Sequence, residues 1–190
     1  NKGREMNQED FWKKLYDNKS TEDFQKSAAR SGLMSYKEMA EILDKYLKFN
    51  KQDSVADIGG ANGGLAIEVS KLAAGVVMVD YSLGQIENAK INTEKAKIKN
   101  LTCILDSYPD LSQLPTSAFS KVYSGACIQY LDKSKINVAM KNLHRILVSN
   151  GQAILFHCHS QKLKKRNPHG RFNDLISFYT FEELQLAATS

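Results

Sequence analysis

The run Val55-Ala56-Asp57-Ile58-Gly59-Gly60-Ala61-Asn62-Gly63-Gly64 constrains this chain more than any other stretch of it. A short apolar run ends in a carboxylate, a glycine-rich turn follows, and a helix-like segment begins near Leu65. A buried parallel strand reads as an apolar run, and glycines directly after it let the backbone turn tightly and approach a ligand without Cβ clashes. Such a turn cradles a nucleotide-type cofactor. Glycines also end strands as plain turns, so the motif is weak when it stands alone.

Here it does not stand alone. The run Gly75-Val76-Val77-Met78-Val79 ends in Asp80, 21 residues after Gly59, about the spacing at which a second-strand carboxylate meets a ribose diol. Ser82 is placed to cap the next helix, with Gln85 in position for a capping box. A third strand, Leu101-Thr102-Cys103-Ile104-Leu105, is followed by Asp106, so three strand-end carboxylates are expected along one sheet edge. Strand and helix patterns alternate from Ser54 to about Cys158. They predict an α/β, doubly wound, mostly parallel sheet with helices on both faces.

The whole chain, residues 1–190, reads as one domain: a helical N-terminal cap over 1–50, a cofactor-binding core over 51–160, and a lid loop with a C-terminal helix over 161–190. In the cap, Phe11, Trp12, Leu15 and Tyr16 share one helical face, and Tyr36, Met39, Ala40, Leu43, Tyr46 and Leu47 share another. Turns are expected at 19–23 and 30–32. Ile136, Met140, Leu143, Ile146 and Leu147 form the apolar stripe of the last crossover helix, which Asn150-Gly151 is expected to stop. The stretch from Ser160 to Asp174 has no clear periodicity and is read as a lid.

Taken together, these residues resemble the S-adenosylmethionine-dependent methyltransferase family, the Rossmann-like class I type, over roughly Asp53 to His159 and more weakly to Leu186. The segments Phe119 to Leu131 and Leu143 to Leu155 are similar to that family's fourth strand with its loop and to its last helix and fifth strand. The resemblance implies S-adenosylmethionine as cofactor and S-adenosylhomocysteine as product. It puts Asp57, Gly59, Gly60, Ala61 and Gly63 under the methionine part, and Asp80, followed by Tyr81, at the ribose hydroxyls. Asp106 and Ser107 fall at the adenine, and Ser124 falls at the fourth-strand end of the same site. Ala61 departs from the family's Gly-x-Gly-x-Gly, where a slight shift in backbone approach is expected. The family's final antiparallel strand pair, due after Thr180-Phe181-Glu182-Glu183-Leu184, is not supplied by this sequence, which begins at Asn1 without an initiator methionine.

Composition fits a folded domain: 42% hydrophobic and 25% charged residues in 190. Apolar runs too short to span a membrane, the lack of a signal-peptide pattern, and three cysteines (Cys103, Cys127, Cys158) at strand positions suggest a cytoplasmic protein with buried thiols. The net charge of +5 is concentrated in Lys162-Leu163-Lys164-Lys165-Arg166 and Arg171. Such a loop is ordinarily a solvated surface, but its place after the fifth strand makes a phosphate-bearing or acidic substrate worth testing. Nucleic acid is not the expected partner, because no aromatic interleaving or recognition module accompanies the charge. Oligomeric state is not legible.

The acceptor chemistry needs alignment, desolvation and, for a hydroxyl or ammonium nucleophile, a base with a pKa near neutral. His157 and His159, two apart at the end of the fifth strand, are the candidate bases, against the competing reading of ordinary buried or surface histidines. Cys158 points oppositely, so His-Cys-His is not read as a metal site, and no metal is expected. Candidate substrate contacts are Tyr16, Arg30, Gln129, Tyr130, His169 and Arg171, with Trp12 and Tyr36 as aromatics that close over the pocket or simply fill core. Ser124-Gly125-Ala126-Cys127 lacks the Asn/Asp-Pro-Pro-aromatic signature of base-amine methylation, and the paired-glutamate loop of protein arginine methylation is also missing. A small-molecule acceptor is the expectation. Three rivals stay open: a macromolecular methyltransferase, a non-catalytic cofactor-binding partner protein, and a nicotinamide-dependent dehydrogenase.

Overall fold

The computed structural model describes residues 8–17, 35–125 and 127–156. In chain order these form α1 (Gln8–Asp17), α2 (Tyr36–Leu47), β1 (Ser54–Ile58), α3 (Gly64–Ser70), β2 (Gly75–Asp80), α4 (Leu83–Lys95), β3 (Leu101–Leu105) and β4 (Phe119–Gly125). Two 3-10 turns (Ile128–Tyr130, Lys133–Lys135) lead into α5 (Ile136–Ile146) and β5 (Leu147–Phe156). The five strands lie in the order β3-β2-β1-β4-β5, and every pairing is parallel. The chain runs outward from β1 to β3, then returns to lay β4 on the other side of β1. That reversal opens a crevice at the carboxyl ends of β1 and β4, where open α/β sheets bind ligands.

Alternation along the strands builds a core on each face. Ala56 and Ile58 of β1, with Val122 of β4, pack against Ala139, Leu143 and Ile146 of α5. Val55, Met78 and Tyr123 face the other way, onto Leu43 and Leu47 of α2, Leu65 and Val69 of α3, and Ile86 of α4. Each such large apolar side chain, fully buried, contributes about 1.5–3 kcal/mol. α2 starts in a complete capping box, Ser35 with Glu38, and ends at Lys48, which is left-handed and donates its N–H to Asp44 O.

Three sequence expectations need correction. First, no helix links β3 to β4: residues 106–118 run as turns. Polar side chains replace the helix ladder there. The Asp106 carboxylate accepts from Ser107 N, Ser112 Oγ and Gln113 N, and the Arg145 guanidinium donates to Leu111 O and Leu114 O. Second, Asn150-Gly151 does not stop α5. The helix ends at Ile146 because Ser117 N and Ala118 N, just ahead of β4, take the carbonyls of Arg145 and Ile146. Asn150, at φ 63°, sits inside β5, where the register passes from Phe119↔Leu147 to Lys121↔Gln152. Third, Ser82 caps α4 by accepting from Gln85 N, but the reciprocal half of the box is not made. Ser82 N is taken by Asp80 Oδ1, and the Gln85 side chain donates instead to Tyr16 O.

Arg30, His157, Cys158, His159, His169, Arg171, the basic run 162–166, the lid 160–174, the segment 180–186 and the turns 19–23 and 30–32 lie outside the described residues. So do the side chains of Phe11, Trp12 and Leu15.

Candidate active site

The turn after β1 is built by backbone bonds to the next strand. Gly59 N and Gly60 N both donate to Val79 O, at 2.8 and 3.1 Å, and Ala61 N donates to Asp80 Oδ2 at 2.9 Å. Gly59 and Gly63 have φ 79° and 77°, the left-handed region where glycine is free and other residues are strained. Gly59 also lacks room for a side chain, since a Cβ would lie 2.5 Å from Cys127 Sγ. Ala61 adopts φ 49° with a side chain, at a cost of about 1–2 kcal/mol. Buried Asn62 steadies the far side of the turn: its Oδ1 accepts from Tyr36 OH and Gly64 N.

Three hollows run along this rim and share Gly59. The first, about 480 Å³, lies between Asp80 and Tyr81 on one side and Asp106, Ser107, Tyr108 and Leu131 on the other. The second, about 570 Å³, is walled by Tyr16, Ala61, Gln85, Cys127 and Tyr130. The third, about 440 Å³, is lined by Asp57, Gly60, Tyr36, Met39 and Leu65.

Burial sets the electrostatics of the rim. It pushes the Asp57 carboxyl up to about 7; the nearby Tyr123 phenol eases that shift, and the charge of Asp80 adds to it. Asp57 Oδ2 and Tyr123 OH are both buried without a completed hydrogen bond. Burial likewise raises Asp80 to about 6, against three backbone N–H groups that favour its charge. Burial raises the Tyr16 and Tyr81 phenols and pushes the Cys127 thiol up to about 12. At neutral pH these phenols and the thiol keep their protons and serve as donors, not bases.

The hydrogen-bond inventory leaves room for a ligand. A carboxylate offers about four lone-pair sites. Asp80 takes Ala61 N on Oδ2 and Ser82 N on Oδ1, with Tyr81 N the third backbone group that favours its charge. Asp106 Oδ2 accepts only Gln113 N among the bonds formed, whereas Oδ1 accepts both Ser107 N and Ser112 Oγ. Asp57 Oδ2 is buried without a hydrogen-bond partner, and Asp57 belongs to the lining of the third hollow.

Of the sequence-predicted residues, the structure brings Asp57, Gly59, Gly60, Ala61, Asp80, Tyr81, Asp106 and Ser107 onto the hollows, together with Tyr16 and Tyr130. The Tyr16 hydroxyl donates to Tyr130 OH at 3.1 Å, with the rings edge to face at 5.9 Å. Gly63 supports from behind as the N-cap of α3. Ser124 is buried and donates to Ile58 O, and Gln129 is buried in the 3-10 turn; neither lines a hollow. Sequence reasoning missed Tyr108, Leu131, Cys127 and Gln85 as wall residues. Gln85 carried a signal, since a capping-box glutamine beside the acidic strand end is near the rim whichever bond it makes. Among the described residues no group of three His, Cys, Asp or Glu side chains converges as a metal site.

Residues 55–151 match the family model described as a methyltransferase domain, about half of the chain. A Methanocaldococcus jannaschii protein named a probable cobalt-precorrin-6B C(15)-methyltransferase (decarboxylating) is 35% identical over 115 residues, covering 57% of this chain and 61% of that protein. The chain thus spans about three fifths of the length of this relative. Among solved structures, geranyl diphosphate C-methyltransferase from Streptomyces coelicolor superposes with a TM-score of 0.63 at 16% identity, covering 80% of this chain and 58% of the other. Phosphoethanolamine N-methyltransferase 1 from Haemonchus contortus gives 0.66 at 20%, covering 80% and 33%. Both were solved with S-adenosylhomocysteine. At these identities the likeness is one of fold.

Proposed function

Because this chain belongs to the methyltransferase-domain family, we propose that it transfers the methyl group of S-adenosylmethionine to an oxygen, nitrogen or carbon atom of a small molecule, without a metal. The observation that carries the reading is the set of strand-end carboxylates on one rim, each with acceptor capacity left over: Asp80 for the ribose hydroxyls, Asp106 Oδ2 beside Ser107 for the adenine edge, and Asp57 Oδ2 for the ammonium of the methionine end. When bound, the cofactor supplies a methyl group on a positively charged sulfur.

The chain's own residues then bind, align and keep water out. The glycine turn brings backbone close, and Tyr81, Tyr108 and Leu131 give the first hollow an apolar lining for the nucleoside. Tyr16 and Tyr130 wall the second hollow, which we assign to the acceptor, with Arg30, His169 and Arg171 as further substrate contacts. His157 and His159, which follow Phe156 in sequence, are the proposed bases for an acceptor that must lose a proton. The basic run 162–166 supports a phosphate-bearing or acidic acceptor. The name of the Methanocaldococcus relative makes a cobalt-precorrin the first acceptor to assay. No helix among the described residues is long and apolar enough to cross a membrane, and we place the protein in the cytoplasm.

Calorimetry with S-adenosylhomocysteine and with NAD tests the cofactor assignment. Saturable binding of the first and none of the second is expected. NAD binding with no S-adenosylhomocysteine binding would return the chain to the dehydrogenase reading.

A further inference from the structure

Asp17, the last residue of α1, reaches the start of α4. Its Oδ1 accepts from Ser82 Oγ at 2.5 Å and, more weakly, from Gly84 N at 3.4 Å. One residue earlier, Tyr16 O accepts from Gln85 Nε2 at 2.6 Å, while the Tyr16 hydroxyl meets Tyr130. The last turn of α1 is therefore fastened to two elements that themselves wall the rim, the start of α4 and the 3-10 turn after β4. The first N–H groups of a helix lack intrahelical partners, and a carboxylate complements the positive end of the helix dipole. Gly84 has an ordinary helical backbone, so it is not there for conformational freedom. A Cβ at that position would run into Asp17 O, so the glycine admits α1.

Ser82 ties this contact to the site. Its hydroxyl bonds Asp17 and its amide bonds Asp80 Oδ1. We propose that Asp17 is a positioning residue: seated on the start of α4, it holds Tyr16 across the rim against Tyr130 and closes the second hollow over Asp80. The inference rests on the reading of this rim as the S-adenosylmethionine site. The titratable groups that face Asp80 are Asp57 on β1, Tyr81 beside it, Cys127 after β4 and Asp17 on α1, and the charge of Asp17 adds to the upward shift of Asp80.

The test measures binding and release of S-adenosylhomocysteine by the full chain and three variants. Gly84→Ala leaves every hydrogen-bonding side chain in place and favours α4 as a helix, but displaces α1. It and Asp17→Ala are expected to speed release on the order of tenfold, the equivalent of one lost hydrogen bond to a charged group. Asp17→Asn keeps the shape and removes the charge, so Asp80 ionises more easily and the acid limb of affinity moves to lower pH. A merely structural cap would lower melting temperature without moving that limb. Wild-type release rates in folded Gly84→Ala and Asp17→Ala, or an unmoved acid limb in Asp17→Asn, would overturn the positioning role while the cofactor assignment stands. A wild-type chain that binds no S-adenosylhomocysteine removes both.

Discussion

Asp57 shows how a single residue in this fold answers to two demands. Its carboxyl ends an apolar strand, where burial raises its pKa to about 7, and one of its oxygens finds no partner within the protein. Its folded pKa lies above the unfolded value, so the stability held by its protonated form is complete at low pH and is lost as pH rises through about 7. Asp80, raised to about 6, acts in the same direction. The ligand-free protein is therefore expected to lose on the order of 4 kcal/mol of the stability these groups hold between pH 5 and pH 8. Asp57→Asn should flatten that slope in urea denaturation followed at several pH values; an unchanged slope in the variant contradicts the shift. The acidic strand ends were legible in the sequence because each closes an apolar run. The orphaned oxygen was not, because it depends on which residues the sheet register sets beside Asp57, Met78 on β2 and Tyr123 on β4.

Among the elements, the regular ones were the easiest to read. α2, α4 and β1 to β3 carry their own periodicity, caps or acidic strand ends, and so were placed from the sequence; β4 and β5 came from the family resemblance, and β5 begins at Leu147, ahead of the expected helix stop. The connection between β3 and β4 was not, because its order comes from contacts distant in sequence. Arg145 of α5 bonds Leu111 O, Leu114 O and Asn142 Oδ1, and Asn142 in turn donates to Pro109 O. Arg145→Ala should cost about 2–3 kcal/mol in chemical denaturation, the scale of losing charge-assisted bonds to buried carbonyls. Arg145→Lys should recover little, since a point charge cannot serve three acceptors spread over a planar fork. A cost below about 0.5 kcal/mol for the alanine variant would show that the loop holds its shape without the clamp. The end of α5 was misread for a related reason: Asn-Gly is a common helix stop, but residues 117 and 118 reach the last helical carbonyls first.

At the scale of the whole molecule, the strand order makes the site. With β4 returned beside β1, the carboxyl ends of β1, β2 and β3 open on one side of a crevice and the segment after β4 on the other, and the three hollows follow that line. Alternating strands and helices announced the doubly wound sheet. The resemblance to methyltransferases, over roughly Asp53 to His159, contains the stretch, residues 55–151, that matches the family. The acceptor wall was less legible, because Tyr16 meets Tyr130 only after α1 folds across the rim. A crystal structure of the chain with S-adenosylhomocysteine tests the account most directly. The ribose hydroxyls are expected on Asp80, the adenine between Tyr81 and Leu131 with its amine toward Asp106, and the ammonium toward Asp57. A nucleoside bound away from the ends of β1, β2 and β3, with these three carboxylates untouched, would contradict it.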